Sequence, residues 1–260
     1  MRYVILIALL GGILYLAYMY LTGQKYRKSM FGQAKIDGKS AEIPLHGNVF
    51  ANWYVEDNAL LFPFLSPKYE RNLLCAFILK WILEGRMTVI SVDRRHVSLN
   101  MSLDTGFTDR TEMNLYEMLL AAAGDDTVLE SDEFKQWARH EYEILFEFPR
   151  RAEVRGKRYL ISRGWLEAHR AATPEGTAQL RKAVEFKNHL ESLTTLPRES
   201  EWKDYLVLGT LFGCLGKMER ALRTLPDDMV MALQAAQLMA DAGFTAAQEE
   251  RQKDKNRERR

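Results

Sequence analysis

The stretch SPKYERNLLCAFILKWILEGRMTVISVDRRHVSLN, residues 66–100, changes its hydrophobic period once, at Gly85. Before Gly85, apolar residues recur every three or four positions, which predicts a helix from Ser66 to about Glu84 with one apolar stripe. After Gly85, short runs rich in Val and Ile alternate with polar residues, which predicts a β-hairpin over 86–101. A helix, a hairpin and further helices follow in the order of a winged-helix-like α+β unit, which we place at 49–150.

Downstream of the hairpin the sequence patterns are helical. Caps and apolar faces predict helices at 111–123, 131–146, 173–193, 201–223 and 227–243, the first closed by Gly124 and the last by Gly243. These favour a helical bundle over 151–244, followed by a charged tail over 245–260 that is disordered or a frayed extension. The expected fold class is therefore mostly α (α+β).

An uncharged segment near the N-terminus predicts a membrane anchor. No charged residue occurs from Tyr3 to Gln24, a length that fits the roughly 20 residues a helix needs to cross a bilayer. The segment lacks a small-residue cleavage pattern, so we interpret residues 1–23 as an uncleaved transmembrane helix rather than a signal peptide. Residues 24–48, with scattered Gly and Lys, read as a juxtamembrane linker.

Basic residues on either side of this segment predict its orientation. Only Arg2 precedes it, whereas Lys25, Arg27 and Lys28 follow it. Under the positive-inside rule these three residues determine the topology, with the N-terminus outside and the C-terminal domain in the cytoplasm. The sequence thus predicts a single-pass protein of the cell membrane, with the lipid bilayer as its first partner.

The composition and the absence of motifs exclude several function classes. With 36 Lys and Arg against 35 Asp and Glu, the formal charge is +1, which is unlike a polybasic nucleic-acid binder or an acidic disordered protein. Neither a G-x-S-x-G elbow nor a phosphate-binding glycine loop is present, and the glycines at 209–216 are interpreted as helix-packing residues. We therefore assign no catalytic, cofactor-binding or metal-binding residues and do not expect an enzyme.

The histidines and cysteines support that assignment. The five histidines, His46, His96, His140, His169 and His189, form no metal-binding spacing. Cys75 and Cys214 lie among apolar neighbours in predicted helices and are interpreted as buried thiols. A membrane-tethered enzyme stays open as an alternative if a pocket gathers His140, His169 or His189 with carboxylates.

Several segments resemble a known family. The anchor and basic linker, the helix-plus-hairpin unit, and later stretches carrying Phe186, Lys187 and Leu190, then Tyr205, Leu206, Gly209 and Gly213, resemble the YciQ-like predicted bacterial membrane proteins, domain of unknown function 2207. The resemblance covers most of 60–225 and implies the anchor and cytoplasmic half of that family, without its extracytoplasmic β domain. It implies location and fold but no mechanism, and suggests that any extracytoplasmic subunit is a separate chain.

Charge is distributed in two opposed blocks. Residues 104–149 carry 12 acidic and 3 basic side chains, about −9, whereas 150–170 carry 7 basic and 2 acidic, about +5. The candidate interaction surface is the basic set Arg150, Arg151, Arg155, Lys157, Arg158, Arg163 and Arg170.

The two blocks either pair with each other inside the fold, or the basic set contacts anionic lipid or an acidic protein. We expect a scaffold or regulatory module that binds another membrane or cytoplasmic protein. A winged-helix nucleic-acid regulator is disfavoured because the acidic block would repel phosphates, and it requires a basic face on the helix before the hairpin. The oligomeric state is left open.

Overall fold

The computed structural model describes residues 69–104, 106–107, 110–167 and 173–258. The predicted anchor and linker, with Lys25, Arg27 and Lys28, lie outside these residues. No helix in the described ranges has both the length and the apolar character needed to cross a bilayer.

The described chain is mostly helical with one small sheet, which confirms the predicted class. Helix α1 (Tyr69–Leu83) precedes strands β1 (Met87–Val92) and β2 (Val97–Met101), followed by α2 (Arg110–Ala123), β3 (Val128–Glu130), α3 (Ser131–His140) and α4 (Tyr142–Ser162). Then come α5 (Pro174–Ser192), α6 (Trp202–Leu211), α7 (Glu219–Leu222) and α8 (Asp227–Glu258).

These elements fall into two compact units. The first holds residues 159–167 and 173–185, and the second holds the other described residues, within 69–158 and 186–258. The boundaries predicted at 150/151 and 244/245 lie inside α4 and α8 respectively.

Helix α1 is the central helix of the second unit. It packs against α8, α6 and β1. Every residue from Leu73 to Leu79 is buried, so this part of α1 is apolar all round. The prediction of a single apolar stripe is therefore wrong, because it left out Ala76 and Leu79, which are buried as well.

The hairpin forms where the alternating pattern predicted it. β1 and β2 pair antiparallel with Val89 opposite Leu99, and β3 adds to β2 to complete a three-stranded sheet in the order β1-β2-β3. The hydroxyl of Tyr116 on α2 lies 2.8 Å from the Arg86 carbonyl oxygen and 3.0 Å from that of Ser102. It therefore fastens both ends of the hairpin to α2.

Two helix ends confirm the role assigned to glycine. Gly85 follows α1 with φ +73°, and the Arg86 N–H returns to the Trp81 carbonyl at 2.8 Å. Gly124 follows α2 with φ +75°. Both residues adopt the left-handed conformation that glycine reaches without a steric penalty, so each helix ends there.

Two predicted helices are divided in the structure. The helix predicted at 131–146 is interrupted at Glu141, whose φ of −111° and ψ of 29° are not helical, and α4 then continues to Ser162. The helix predicted at 201–223 ends at Leu211, because Gly213 takes φ +68° and the Cys214 N–H bonds back to the Gly209 carbonyl at 2.8 Å. Cys214 therefore lies in a turn and not in a helix.

The prediction that Gly243 ends the last helix is wrong. Helix α8 passes through Gly243 and continues to Glu258, so most of the tail predicted as disordered or frayed is helical. Gly243 faces Phe134 on α3, and a side-chain carbon at this position would overlap the Phe134 ring. The glycine is needed for close packing of α8 on α3 rather than for a turn.

The first unit is organised around Trp165. Gly164, with φ +70°, ends α4, and the Trp165 N–H bonds to the Leu160 carbonyl at 3.0 Å. Thr173 Oγ1 accepts a hydrogen bond from the Gly176 N–H at 3.1 Å, which confirms the predicted N-cap of α5.

Candidate functional site

A groove of about 920 Å³ opens on the second unit, where α2, α4 and α8 meet near the start of α1. We call it the α4–α8 groove. One wall is the α2 stripe of Thr111, Asn114, Leu115 and Met118, and another is the α8 stripe of Arg251, Asp254, Lys255 and Glu258. Residues of α4 between Tyr142 and Arg151, together with Glu70, complete the lining.

Helical spacing explains why these side chains share one space. Positions 111, 114, 115 and 118, and likewise 251, 254, 255 and 258, repeat at intervals of three and four, so each set lies along one side of its helix. Apolar Met118, Ile144 and Phe148 alternate there with charged side chains. The groove therefore offers both apolar contact and ion pairing to a bound chain.

Two contacts hold the end of α8 against the start of α4. The Tyr142 hydroxyl donates a 2.7 Å hydrogen bond to Asp254 Oδ2, and the Arg251 guanidinium lies over the Phe146 ring at 4.7 Å from its centroid. The bond to Asp254, together with partial desolvation, raises the pKa of Tyr142 to about 12. The proton is therefore kept on the hydroxyl, which remains the donor.

The basic set and the acidic block meet at the rim of the groove. Glu147 lies 3.6 Å from Arg150 Nη1 and 3.5 Å from Arg151 Nε, all on α4. The two arginine side chains are nevertheless 73% and 69% exposed, so these are surface pairs. The blocks thus pair at this junction, and both arginines still face solvent.

The remaining predicted surface residues do not form one cluster. Arg155 donates a 3.0 Å hydrogen bond to Thr111 Oγ1 on α2, and Arg158 is exposed. Arg163, in the first unit, lies over the Tyr159 ring at 5.2 Å. Lys157 is on α4, but its side chain is outside the described set, as is Arg170.

Each described histidine has a separate environment. His96 Nδ1 lies 3.0 Å from Asp132, and His140 Nδ1 lies 2.7 Å from the Gln136 carbonyl on an exposed turn. His189 Nε2 lies 3.5 Å from the Tyr205 hydroxyl. None of them lines the groove, and His46 and His169 lie outside the described residues. Within the described ranges no group of three or more His, Cys, Asp or Glu could hold a metal ion.

Both cysteines are buried thiols, as predicted. Burial raises the pKa of Cys75 and of Cys214 to about 12, so both remain protonated at neutral pH. The glycines at 209–216, interpreted as helix-packing residues, play different roles. A side-chain carbon at Gly209 would lie 2.7 Å from Met218 Sδ, so this glycine permits close packing, whereas Gly213 forms a turn with φ +68° and Gly216 has nothing within 4 Å of such a carbon.

An ion cluster that the sequence did not predict lies beside Cys214. Lys187 and Lys217 each approach a different Glu191 oxygen at 2.5 Å. Partial burial opposes ionisation of Glu191, but the hydrogen bonds from the two lysines outweigh it and lower the pKa of this carboxyl. The pair at 187 and 191 was visible as an i,i+4 spacing, whereas Lys217 is brought there by the turn after α6.

The helix before the hairpin does not provide the basic face that nucleic-acid recognition required. Of its basic residues, Arg71 pairs with Asp241 on α8, and Lys80 pairs with the buried Glu112 at 2.6 Å. Both cations are thus engaged by carboxylates within the second unit.

The α8 wall of the groove was also missed. Charged residues occur on all sides of the helix from Gln248 onward, so the sequence does not indicate which of them share a face. The contacts with Tyr142 and Phe146 show which charges line the groove.

No family model, curated protein or solved structure matches the chain.

Proposed function

We propose that this chain is a single-pass membrane protein whose cytoplasmic part is a scaffold or regulatory module that binds another protein in the α4–α8 groove. The anchor at 1–23 and the basic residues Lys25, Arg27 and Lys28 support the membrane location. The resemblance to the cytoplasmic half of the YciQ-like family supports the same arrangement.

The groove is the observation that carries the proposal. Its volume lies in the range of pockets that enclose ligands, yet it is formed by exposed stripes of helices and not by an enclosed core. The uncharged α2 wall, with apolar Leu115 and Met118, and the wholly charged α8 wall are each about two helical turns long, which suits an amphipathic helical segment of a partner. Charged rims of both signs would fix the orientation of such a segment.

We also propose a winged-helix-like fold for residues 49–150. The order α1, β1, β2, α2, with the hairpin fastened to α2 by Tyr116, supports a winged-helix-like unit used for protein interaction. We propose that a helical bundle follows this unit in the chain, over residues 151–244.

Site-specific photo-cross-linking of the full chain in its native membrane tests the function. We would place a photoreactive residue at Asn114, in the groove, and at Met231 on α8, which is 40% exposed and about 30 Å along the helix from Arg251. We expect a discrete protein adduct from position 114 that Met118→Arg abolishes. The same adducts at both positions, or no effect of Met118→Arg, would refute the groove as the binding site.

A further inference from the structure

A second candidate surface lies on the exposed side of α4. Arg150, Arg151, Val154 and Arg158 lie at successive helical spacings, within about 100° of the helix circumference at 100° per residue. All four are exposed, and Val154 leaves 51% of its surface in solvent. A branched apolar side chain thus lies among three cations; we call these four residues the α4 basic face.

We infer that the α4 basic face docks onto anionic lipid of the membrane that anchors the chain. The three arginines of this face can meet anionic headgroups, and the aliphatic side chain of Val154 between them can contact the acyl boundary. The inference rests on the proposed anchor, which keeps this face near a cytoplasmic leaflet of negative surface potential.

The charges of α4 favour anionic lipid as the partner of this face. Residues 147–158 carry a net charge of 5 − 2 = +3, from Arg150, Arg151, Arg155, Lys157 and Arg158 against Glu147 and Glu153. Glu147 pairs with two of these arginines. Because those ion pairs are 3.5–3.6 Å long and solvent-exposed, phosphate groups can compete with Glu147 for the arginines. Val154 and Arg158 do not line the groove, whereas Arg150 and Arg151 line both the groove and the α4 basic face.

A polarity-sensitive label in the full chain tests the inference. Because Cys75 and Cys214 are buried, a thiol-reactive NBD fluorophore can be directed to Val154→Cys. The labelled chain would be reconstituted in nanodiscs of phosphatidylcholine, with or without anionic phosphatidylglycerol. Met231→Cys, distant from Arg251 along α8, is the matched control.

We expect NBD at position 154 to shift to shorter wavelength only with anionic lipid, and high salt to reverse the shift. Removing arginines in Arg150→Gln, Arg151→Gln and Arg158→Gln should lower the docked-to-undocked ratio about fivefold each. Glu147→Gln should raise it, because it releases two arginines.

Equal emission in the two lipids, an equal shift at position 231, or an unchanged shift in the triple glutamine variant would overturn the inference. Failure of the chain to co-elute with nanodiscs would instead refute the anchor. In that case the same NBD readings with added vesicles of the two compositions would still decide whether the face docks.

Discussion

Tyr142 and Asp254, separated by 112 positions in the sequence, are joined by a 2.7 Å hydrogen bond between the phenolic hydroxyl and the carboxylate. With Arg251 stacked on Phe146, this bond attaches the last turns of α8 to α4 and so forms one wall of the α4–α8 groove. The charged end of the chain therefore takes part in the fold.

Tyr142→Phe should loosen the end of α8. Without the hydrogen bond to Asp254, the last turns of the helix lose one of their attachments and keep the Arg251–Phe146 contact and the 3.8 Å Arg139–Glu249 ion pair, so residues 248–258 should exchange amide hydrogens faster. Hydrogen exchange followed by mass spectrometry measures this. Gln252→Ala, on the same exposed segment, is the control and should leave exchange unchanged. Equal protection in Tyr142→Phe and the unaltered chain would contradict the role of the bond.

Two tyrosines should titrate late in the folded chain. The hydrogen bond to Asp254 raises the pKa of Tyr142, and burial raises that of Tyr116, each to about 12 from the ordinary value near 10. Folding thus favours their protonated forms, a contribution present below pH 10 and lost as pH rises through 12. Near-ultraviolet absorbance at pH about 11 should show Tyr142 and Tyr116 unionised in the folded chain and ionised in denaturant. Tyr142→Phe and Tyr116→Phe should each lower the number of unionised tyrosines by one.

Gly243→Ala should destabilise the second unit. In an exposed helix this change stabilises by up to about 1 kcal/mol, but here the methyl group would overlap the Phe134 ring. Overpacking of this kind costs about 1–3 kcal/mol, measurable by urea unfolding. Gly216→Ala is the matched control, because a side-chain carbon there meets nothing within 4 Å. Phe134→Leu combined with Gly243→Ala should recover part of the loss if the ring is the obstacle.

Removal of the Glu112 carboxylate should also destabilise the fold. Glu112 is 4% exposed and accepts hydrogen bonds from Trp81 Nε1 at 2.8 Å and Lys80 Nζ at 2.6 Å. Glu112→Leu leaves the buried indole N–H without this acceptor and should cost about 3 kcal/mol in the free energy of unfolding. Glu112→Gln retains an acceptor and should cost less. Glu117→Gln, exposed on the same helix, should have no effect on urea unfolding.

Cys75 and Cys214 should react with thiol reagents only when the chain opens. Burial excludes the reagent, and the pKa of about 12 keeps the sulfur protonated. At mildly alkaline pH the folded chain should react slowly, at a rate that follows urea unfolding, whereas the denatured chain reacts at once. A fast-reacting thiol in the folded chain would show that one cysteine is accessible.

Local sequence patterns predict the structure correctly where a single residue determines the backbone conformation. Gly85 and Gly124 were predicted as helix ends because glycine reaches positive φ freely, and Thr173 was predicted as a cap because its hydroxyl satisfies a backbone N–H of the next turn. The hairpin followed from its period of two, and the small sheet and helical majority followed from the same periods.

Gly243 shows where local patterns fail. The sequence offers the same residue type as Gly85, but Phe134, more than a hundred positions away, decides that the glycine packs against α3 and does not end the helix. The groove likewise depends on residues that are distant in the sequence, because nothing in the residues next to Tyr142 or Arg251 indicates that the two line one site.

The helical class, the hairpin, the buried thiols and the opposed charge blocks can be predicted from the sequence, because each depends on neighbouring residues or on composition. The burial of α1 on all sides, the groove wall formed by the charged tail and the identity of the exposed arginines are visible only in the folded chain. These depend on contacts between residues far apart in the chain, which no sequence period encodes.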